Sequence, residues 1–285
     1  MFKKEQILTV SAPAKVNLHL AVLDRRQDGF HNIESVFLAV DLADTLHFEQ
    51  VKGENSVEIV MEPRSVSIPV EKNIIFRALS LFKAKTGYSK GLKIRVEKRI
   101  PIGGGLGGGS SNAASALLAL NKLAGNPLNR DLLLEMGASL GSDVPFFLYD
   151  TAAARVTGRG EKIEALPPPK LFLTLVKPGF SSDTAAAYRL LDKKREGKEV
   201  VTPKPVESIT AFDAFYNDFL PVFEEAEKST YDEIISRLRA LGADYANLSG
   251  SGSTCFGVFG DRAKAEQAAQ ILRKEWDFSE FCRSK

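Results

Sequence analysis

The chain has 285 residues, 38 lysines and arginines against 36 aspartates and glutamates, and a formal charge of +2. Hydrophobic residues are 44% and charged residues 26%, which excludes a wholly disordered chain and, without a basic excess, a dedicated nucleic-acid binder. Cys255 and Cys282 are the only cysteines, too few for a disulfide framework or a structural zinc site, so a reducing cytosol is the default.

No apolar run approaches the roughly 18 residues of a membrane helix. Lys3-Lys4, Ile7 to Val10 and Ala12-Pro13-Ala14 imitate a short secretion leader. The apolar part is too short and polar, and Pro13 falls inside the would-be cleavage site, so a cytoplasmic location is expected.

Val16, Leu18 and Leu20 alternate with Asn17 and His19, which predicts a strand. Asp24 to Gly29 reads as a turn, and strands follow at 36–40, 46–51 and 57–60. Ile75, Ala78, Leu79 and Phe82 share one helix face within 73–88. Alternation returns over Leu92 to Ile100. A glycine cluster then leads into a helix over 113–124, and a second helix runs over 129–140. Pro167-Pro168-Pro169 breaks the pattern and predicts a junction, giving domains 1–166 and 167–285. Beyond it come a strand (171–176), a helix (183–193), a charged loop (193–205) and a helix near Val206–Phe215. A helix through Tyr231 to Leu241, strands at 245–248 and 254–259, and a final helix through Ala265 to Leu272 complete the chain. Early strands with grouped helices make an α+β protein rather than a βαβ series.

The informative segment is Pro101-Ile102-Gly103-Gly104-Gly105-Leu106-Gly107-Gly108-Gly109-Ser110-Ser111-Asn112. Glycine is entropically costly, so six in seven positions need a reason. Bare backbone N–H groups converging on an anion supply one. The helix that follows, with Ser110, Ser111 or Asn112 as cap, adds the positive end of its dipole. Strand, glycine loop and helix start together make a phosphate cradle. Gly109 stands where a Walker A loop has lysine. The dinucleotide spacing Gly103-x-Gly105-x-x-Gly108 lacks its second strand and acid, and other protein-kinase motifs are missing.

The segment strongly resembles motif two of the galactokinase, homoserine kinase, mevalonate kinase and phosphomevalonate kinase (GHMP) superfamily. Ser11-Ala12-Pro13-Ala14-Lys15-Val16-Asn17-Leu18 resembles motif one. Leu140-Gly141-Ser142-Asp143-Val144-Pro145 resembles the segment with the catalytic aspartate, and Leu248-Ser249-Gly250-Ser251-Gly252-Ser253 resembles motif three. Asp28-Gly29-Phe30-His31 and Asn73 also fall into place, so the match spans residues 11 to 259.

The resemblance implies a two-domain GHMP-kinase fold. Its N-terminal domain would be like the second domain of ribosomal protein S5 and its C-terminal domain ferredoxin-like. It implies an ATP-dependent kinase acting on the 2-hydroxyl of a methylerythritol that carries a cytidine diphosphate, with Mg²⁺ as charge neutraliser and no dedicated metal motif. Neither a nucleic acid nor a membrane is an expected partner, and a monomer or weak homodimer is expected. Pro101, Gly103 to Asn112 (Gly104, Gly105, Leu106, Gly107, Gly108, Gly109, Ser110 and Ser111 among them) and Asn73 would bind ATP.

By their residue types alone, Asp143 reads as a helix cap and Lys15 as an edge lysine. The resemblance instead makes Asp143 the base, with Lys15 keeping it ionised, and sets Asn17 near the acceptor hydroxyl. It implies that Phe30, His31 and Tyr188 hold the cytosine and that Thr184 meets the diphosphate. Ser249, Gly250, Ser251 and Gly252 would lie by the substrate phosphates. Phe30 stands where the family more often has tyrosine, which preserves stacking and moves the phenol. Asn73 also reads as the cap of its helix.

Overall fold

The structure is a computed structural model that describes residues 7–63, 68–198, 200, 206 and 208–285. The leader-like lysines and most of the expected loop after 198 lie outside the described residues. The chain forms two compact units, each assembled from separated stretches. The first takes 1–14, 43–100 and 108–150, and the second takes 15–42, 101–107 and 151–285.

Two long strands, β1 (Leu8–Arg25) and β2 (His31–Glu54), contribute to both units and pair with each other. The expected strands at 36–40 and 46–51 are therefore one continuous element. In the first unit, β2 pairs antiparallel with β4 (Lys90–Glu97), from Thr45↔Glu97 to Val51↔Gly91. On β4's other edge β3 (Val57–Glu62) runs parallel, from Val57↔Leu92. A parallel neighbour needs a crossover, and α1 (Ile74–Thr86) supplies it. Asn73 caps that helix, its Oδ1 accepting from Ile75 N at 3.0 Å, and Gly87, at φ 72°, ends it.

Helices α2 (Gly108–Leu123), α3 (Arg130–Leu140) and the short α4 (Val144–Leu148) complete this unit. Ile75, Ala78, Leu79 and Phe82 of α1 pack with Phe48, Ile94, Ala113, Leu117 and Leu120 in one core. The period-3.6 and period-2 apolar positions read from the sequence meet there.

In the second unit, Ile33 to Leu38 of β2 pair antiparallel with β5 (Ala153–Gly158), which pairs in turn with β6 (Lys162–Ala165). A separate four-stranded antiparallel sheet has the order β10-β7-β9-β8, from β7 (Phe172–Lys177), β8 (Tyr245–Leu248), β9 (Cys255–Phe259) and β10 (Phe278–Arg283). Helices α5 (Thr184–Arg195) and α6 (Glu225–Ala240) lie between β7 and β8 in sequence, and α7 (Arg262–Leu272) between β9 and β10. α6 packs on β8 and β9, and α7 on β7. This split βαβ arrangement is the ferredoxin-like fold.

The helix expected near Val206–Phe215 is a correction. Its described part holds one 3-10 turn, Phe212–Ala214, because residues 216–218 give their main chain to β1 instead: Leu20 N donates to Tyr216 O at 2.9 Å and Asp218 N to Leu20 O at 3.0 Å. Among the described residues, no helix is long and apolar enough to cross a membrane.

Candidate active site

In the second unit β1 turns Lys15, Asn17 and His19 to one face and Val16, Leu18 and Leu20 to the other, as alternation dictates. Lys15 is buried. Its Nζ donates to Asn17 Oδ1 at 2.5 Å and to Gly105 O at 3.2 Å, and lies 4.8 Å from the centre of the Phe37 ring. Asn17 Nδ2 donates to Ser35 Oγ at 2.9 Å. Asn17 N donates to Ser249 Oγ at 3.2 Å, and that hydroxyl donates to Gly105 O at 3.0 Å. Three of the sequence motifs thus meet at Gly105: the strand, the glycine loop and the serine-glycine turn.

The glycine loop faces inward with its carbonyls. Ile102 O accepts from Ser181 Oγ, Gly103 O from Ser182 N and Ser253 N, Gly104 O from Thr254 N, and Leu106 O from Lys15 N. Among the described residues, the N–H groups of 103–107 donate in no main-chain hydrogen bond. Buried backbone donors need partners, so this orientation suits an incoming anion.

The structure also gives the glycines a second reason, which sequence reading had left out. A Cβ on Gly105 would lie 2.1 Å from Ser249 O, and one on Gly104 2.7 Å from Thr254 Oγ1. Gly103, Gly105 and Gly107 have φ of 66°, 71° and 68°, the left-handed region. The loop is bare at 104 and 105 because the serine-glycine turn presses against it.

Beside the loop, Lys177 Nζ donates to Pro178 O at 3.0 Å and Phe180 O at 2.6 Å. Burial pulls the pKa of this ammonium down, partly opposed by Asp277. Thr184, the first residue of α5, shares a 2.9 Å hydroxyl contact with Ser251. His31 Nε2 lies 2.7 Å from Asp192 Oδ1, and the imidazole stacks on Tyr188 at 5.0 Å and 19°. The two rings are too close to admit a third between them. Phe30 is 50% exposed, which rules out a core role, and the Arg159 guanidinium covers its ring at 4.8 Å.

In the first unit, α2 opens at Gly108. A Cβ there would meet Ile100 Cγ2 at 2.9 Å, whereas a Cβ on Gly109 would have only Ile74 Cγ2, at 3.9 Å. Packing therefore explains Gly108 and leaves Gly109 bare for approach from outside. Two polar atoms in the first turn, Ser111 Oγ and Asn112 Oδ1, are buried without a hydrogen-bond partner, a cost a bound group would relieve. Lys98, in an ion pair with the buried Asp44, places its Nζ 3.5 Å from the Gly108 Cβ position. Asp44 Oδ1 also accepts from Arg99 N and Ile100 N, at 2.7 and 2.9 Å. Asp143, half-buried, takes the N-cap position of α4, yet its side chain makes no capping bond. Gly141, two residues earlier, faces Ser110, with 3.9 Å between the Cβ position and Oγ.

Sequence reading missed Lys98, Ser35 and Asp192. Lys98 belongs to a strand-like run of alternating charges, and the other two carry no local signal. Among the described residues, no group of three or more His, Cys, Asp or Glu is placed to hold a metal.

The model of the GHMP kinases N terminal domain matches residues 73–151, and that of the GHMP kinases C terminal matches 215–277. The chain is similar to the 4-diphosphocytidyl-2-C-methyl-D-erythritol kinase of Thermodesulfovibrio yellowstonii, at 38% identity over 95% of this chain and 96% of that protein. To the enzyme of the same name from Enterococcus faecalis it is 39% identical over 92% and 93%. A crystal structure of 4-(cytidine 5'-diphospho)-2C-methyl-D-erythritol kinase superposes with a TM-score of 0.81 at 33% identity, covering 98% of this chain and 100% of that one. A homoserine kinase from Cytophaga hutchinsonii, at 19% identity and a TM-score of 0.72 over 100% and 96%, shares the fold.

Proposed function

The chain belongs to the 4-diphosphocytidyl-2-C-methyl-D-erythritol kinase family of the GHMP kinases, and we propose that it phosphorylates the 2-hydroxyl of 4-diphosphocytidyl-2-C-methyl-D-erythritol from ATP. The step would belong to the cytoplasmic, non-mevalonate route to isoprenoid precursors. The observation that carries the reading is the meeting of Lys15 and Ser249 on Gly105 O of the glycine loop, with Asn17 bonded to both side chains. A phosphoryl-transfer enzyme needs positioned phosphates and a charged partner, and little covalent chemistry.

The N–H groups of 103–109, continued by the start of α2, bind the ATP phosphates, with Pro101, Ser110 and Asn112 at the rim and Lys98 as an added cation. Asn73 borders the adenine. Ser111, with its unpartnered buried hydroxyl, fits a Mg²⁺ that arrives with the nucleotide. When bound, that ion neutralises phosphate charge.

Asp143 accepts the proton of the 2-hydroxyl as its oxygen attacks the γ-phosphorus in line with the departing ADP oxygen. Lys15 favours the ionised carboxylate and eases loss of the substrate's proton. Asn17 orients the hydroxyl. Thr184 and Ser251, already in contact, receive the diphosphate with Gly250 and Gly252. His31, Tyr188 and Phe30 hold the cytosine. Phe30 lacks the phenol common in the family, so stacking and the neighbouring Arg159 carry its part of the contact.

Coupled ADP release measured with 4-diphosphocytidyl-2-C-methyl-D-erythritol, mevalonate and homoserine tests the proposal. Turnover of the first alone is expected. Turnover of either other alcohol in its place overturns the assignment.

A further inference from the structure

Residues 216–218 are tied along β1, the strand that carries Lys15 and Asn17. Besides the two main-chain bonds to Leu20, Tyr216 N donates to His19 Nδ1 at 3.2 Å and Val22 N to Asp218 Oδ2 at 2.8 Å. The Arg195 guanidinium grips the same carboxylate at 2.8 Å. Between these ties Asn217 is 5% exposed. Its Nδ2 donates to Leu248 O and to Gly250 O, both at 2.8 Å, and its Oδ1 accepts from Phe219 N at 2.9 Å. A carboxamide nitrogen has two hydrogens, and both are engaged by the carbonyls that bracket Ser249.

The other side of that turn bears on the catalytic apparatus. Ser249 Oγ bridges Asn17 N and Gly105 O. The Cβ position of Gly250 is 3.3 Å from Asn17 Oδ1, the atom that also receives the Lys15 ammonium. Gly250 and Gly252 both adopt positive φ, 58° and 87°. A turn of this composition has little intrinsic stiffness, so its height over Gly105 has to be set from outside.

We propose that Asn217 is a positioning residue for phosphoryl transfer: its grip on two carbonyls fixes the 249–252 turn, and through it the glycine loop and the Lys15–Asn17 pair. This rests on the kinase reading above. The chemistry requires a carboxamide. Aspartate has the same shape but would set a carboxylate against two carbonyl oxygens with no donor between them. Serine offers one donor on a shorter arm.

Full-length Asn217→Asp and Asn217→Ser are compared with the wild type by coupled ADP release, by calorimetric cytidine binding and by thermal unfolding. Asn217→Asp is expected to lower kcat about 10²-fold, the scale of a misplacement of about 1 Å. Asn217→Ser is expected to lose less, and cytidine affinity, read at His31 and Tyr188 away from the 249–252 turn, to stay at the wild-type value in both. The deficit of Asn217→Asp should shrink toward acid, where a protonated carboxyl regains one donor, and the split between a lowered kcat and an unchanged cytidine affinity is what a purely structural role would not produce. Wild-type kcat in folded variants overturns the proposal, as does a joint fall of kcat and cytidine affinity that tracks the melting temperature. If Asn217→Asp does not fold, Asn217→Ser decides by the same outcomes. If the wild type phosphorylates none of the alcohols, the kinase reading fails. The inference is then read from the affinity for a non-hydrolysable ATP analogue, which should weaken in the folded variants, and an unchanged affinity overturns it.

Discussion

The ammonium of Lys15 lies 3.2 Å from the carbonyl oxygen of Gly105, so the cation of the first motif is seated on the backbone of the second. Replacing Lys15 with methionine keeps the buried aliphatic stem and removes the charge and the hydrogen bonds to Asn17 and Gly105. We expect kcat to fall about 10²–10³-fold, the usual loss for one electrostatic contact of this kind, with the fold kept by circular dichroism. Lys15→Arg should not rescue it, because a residue 3% exposed has no room for a planar guanidinium.

Asp143→Asn is expected to fold normally and lose about 10²–10⁴ in kcat, the scale of a general base. Single-turnover measurement with ATP prebound checks that chemistry, and not nucleotide binding, is slowed. Near-wild-type turnover would remove Asp143 from the role.

Two glycines of one loop should respond in opposite ways. Gly105→Ala puts a methyl 2.1 Å from Ser249 O at φ 71°, and we expect a loss of about 3 kcal/mol by denaturant unfolding. Gly109→Ala meets nothing closer than 3.9 Å and sits in a helix, where alanine gains about 0.5 kcal/mol. Its unfolding midpoint should hold or rise while KM for ATP increases, because the methyl occupies the phosphate approach. An unchanged KM would show that the anion does not come in over Gly109.

Burial lowers the pKa of His19 below its ordinary 6.5, partly opposed by Glu34 and Asp218. The unfolded chain therefore takes up a proton near that pH that the folded chain resists. Stability from the neutral imidazole is complete above 6.5 and is lost as pH falls toward the folded-state value. His19→Gln should flatten this acid slope in urea midpoints measured between about pH 7.5 and 5.5. An equal slope in both proteins would assign it elsewhere.

His31→Ala should weaken CDP binding and leave the KM for ATP unchanged, since the imidazole stacks on Tyr188 and meets Asp192 rather than the glycine loop. Calorimetry with CDP and with an ATP analogue separates the two effects. Parallel losses for both nucleotides would contradict the division of labour.

Much of the architecture was legible because apolar spacing and caps agree. Asn73, Gly87 and Asp183 bound their helices as their chemistry suggests, with Asp183 Oδ1 accepting from Ala186 N. β5 and β6 escaped notice because Ala153-Ala154-Arg155 and Lys162-Ile163-Glu164 carry too little alternation, and pairing with β2 makes them strands. The expected helix before Phe215 failed for a related reason: a tertiary partner, β1, takes the main chain that follows. Lys15, Asn17 and the glycine run were visible as motifs. Asp192 and Asn217 were not, because their bonds reach 161 residues back to His31 and 33 residues on to Gly250, and no local pattern encodes such a meeting.

The strand β7 is flanked by β9 and by β10, which pairs with it from Phe278↔Lys177 to Arg283↔Phe172, about a hundred residues later in sequence. During synthesis, Phe172 to Lys177 must therefore wait, one edge open, until Phe278 to Arg283 have been made. A nascent chain halted before Phe278 would expose a sticky β-edge, a natural target for chaperones or for pairing with another unfinished copy.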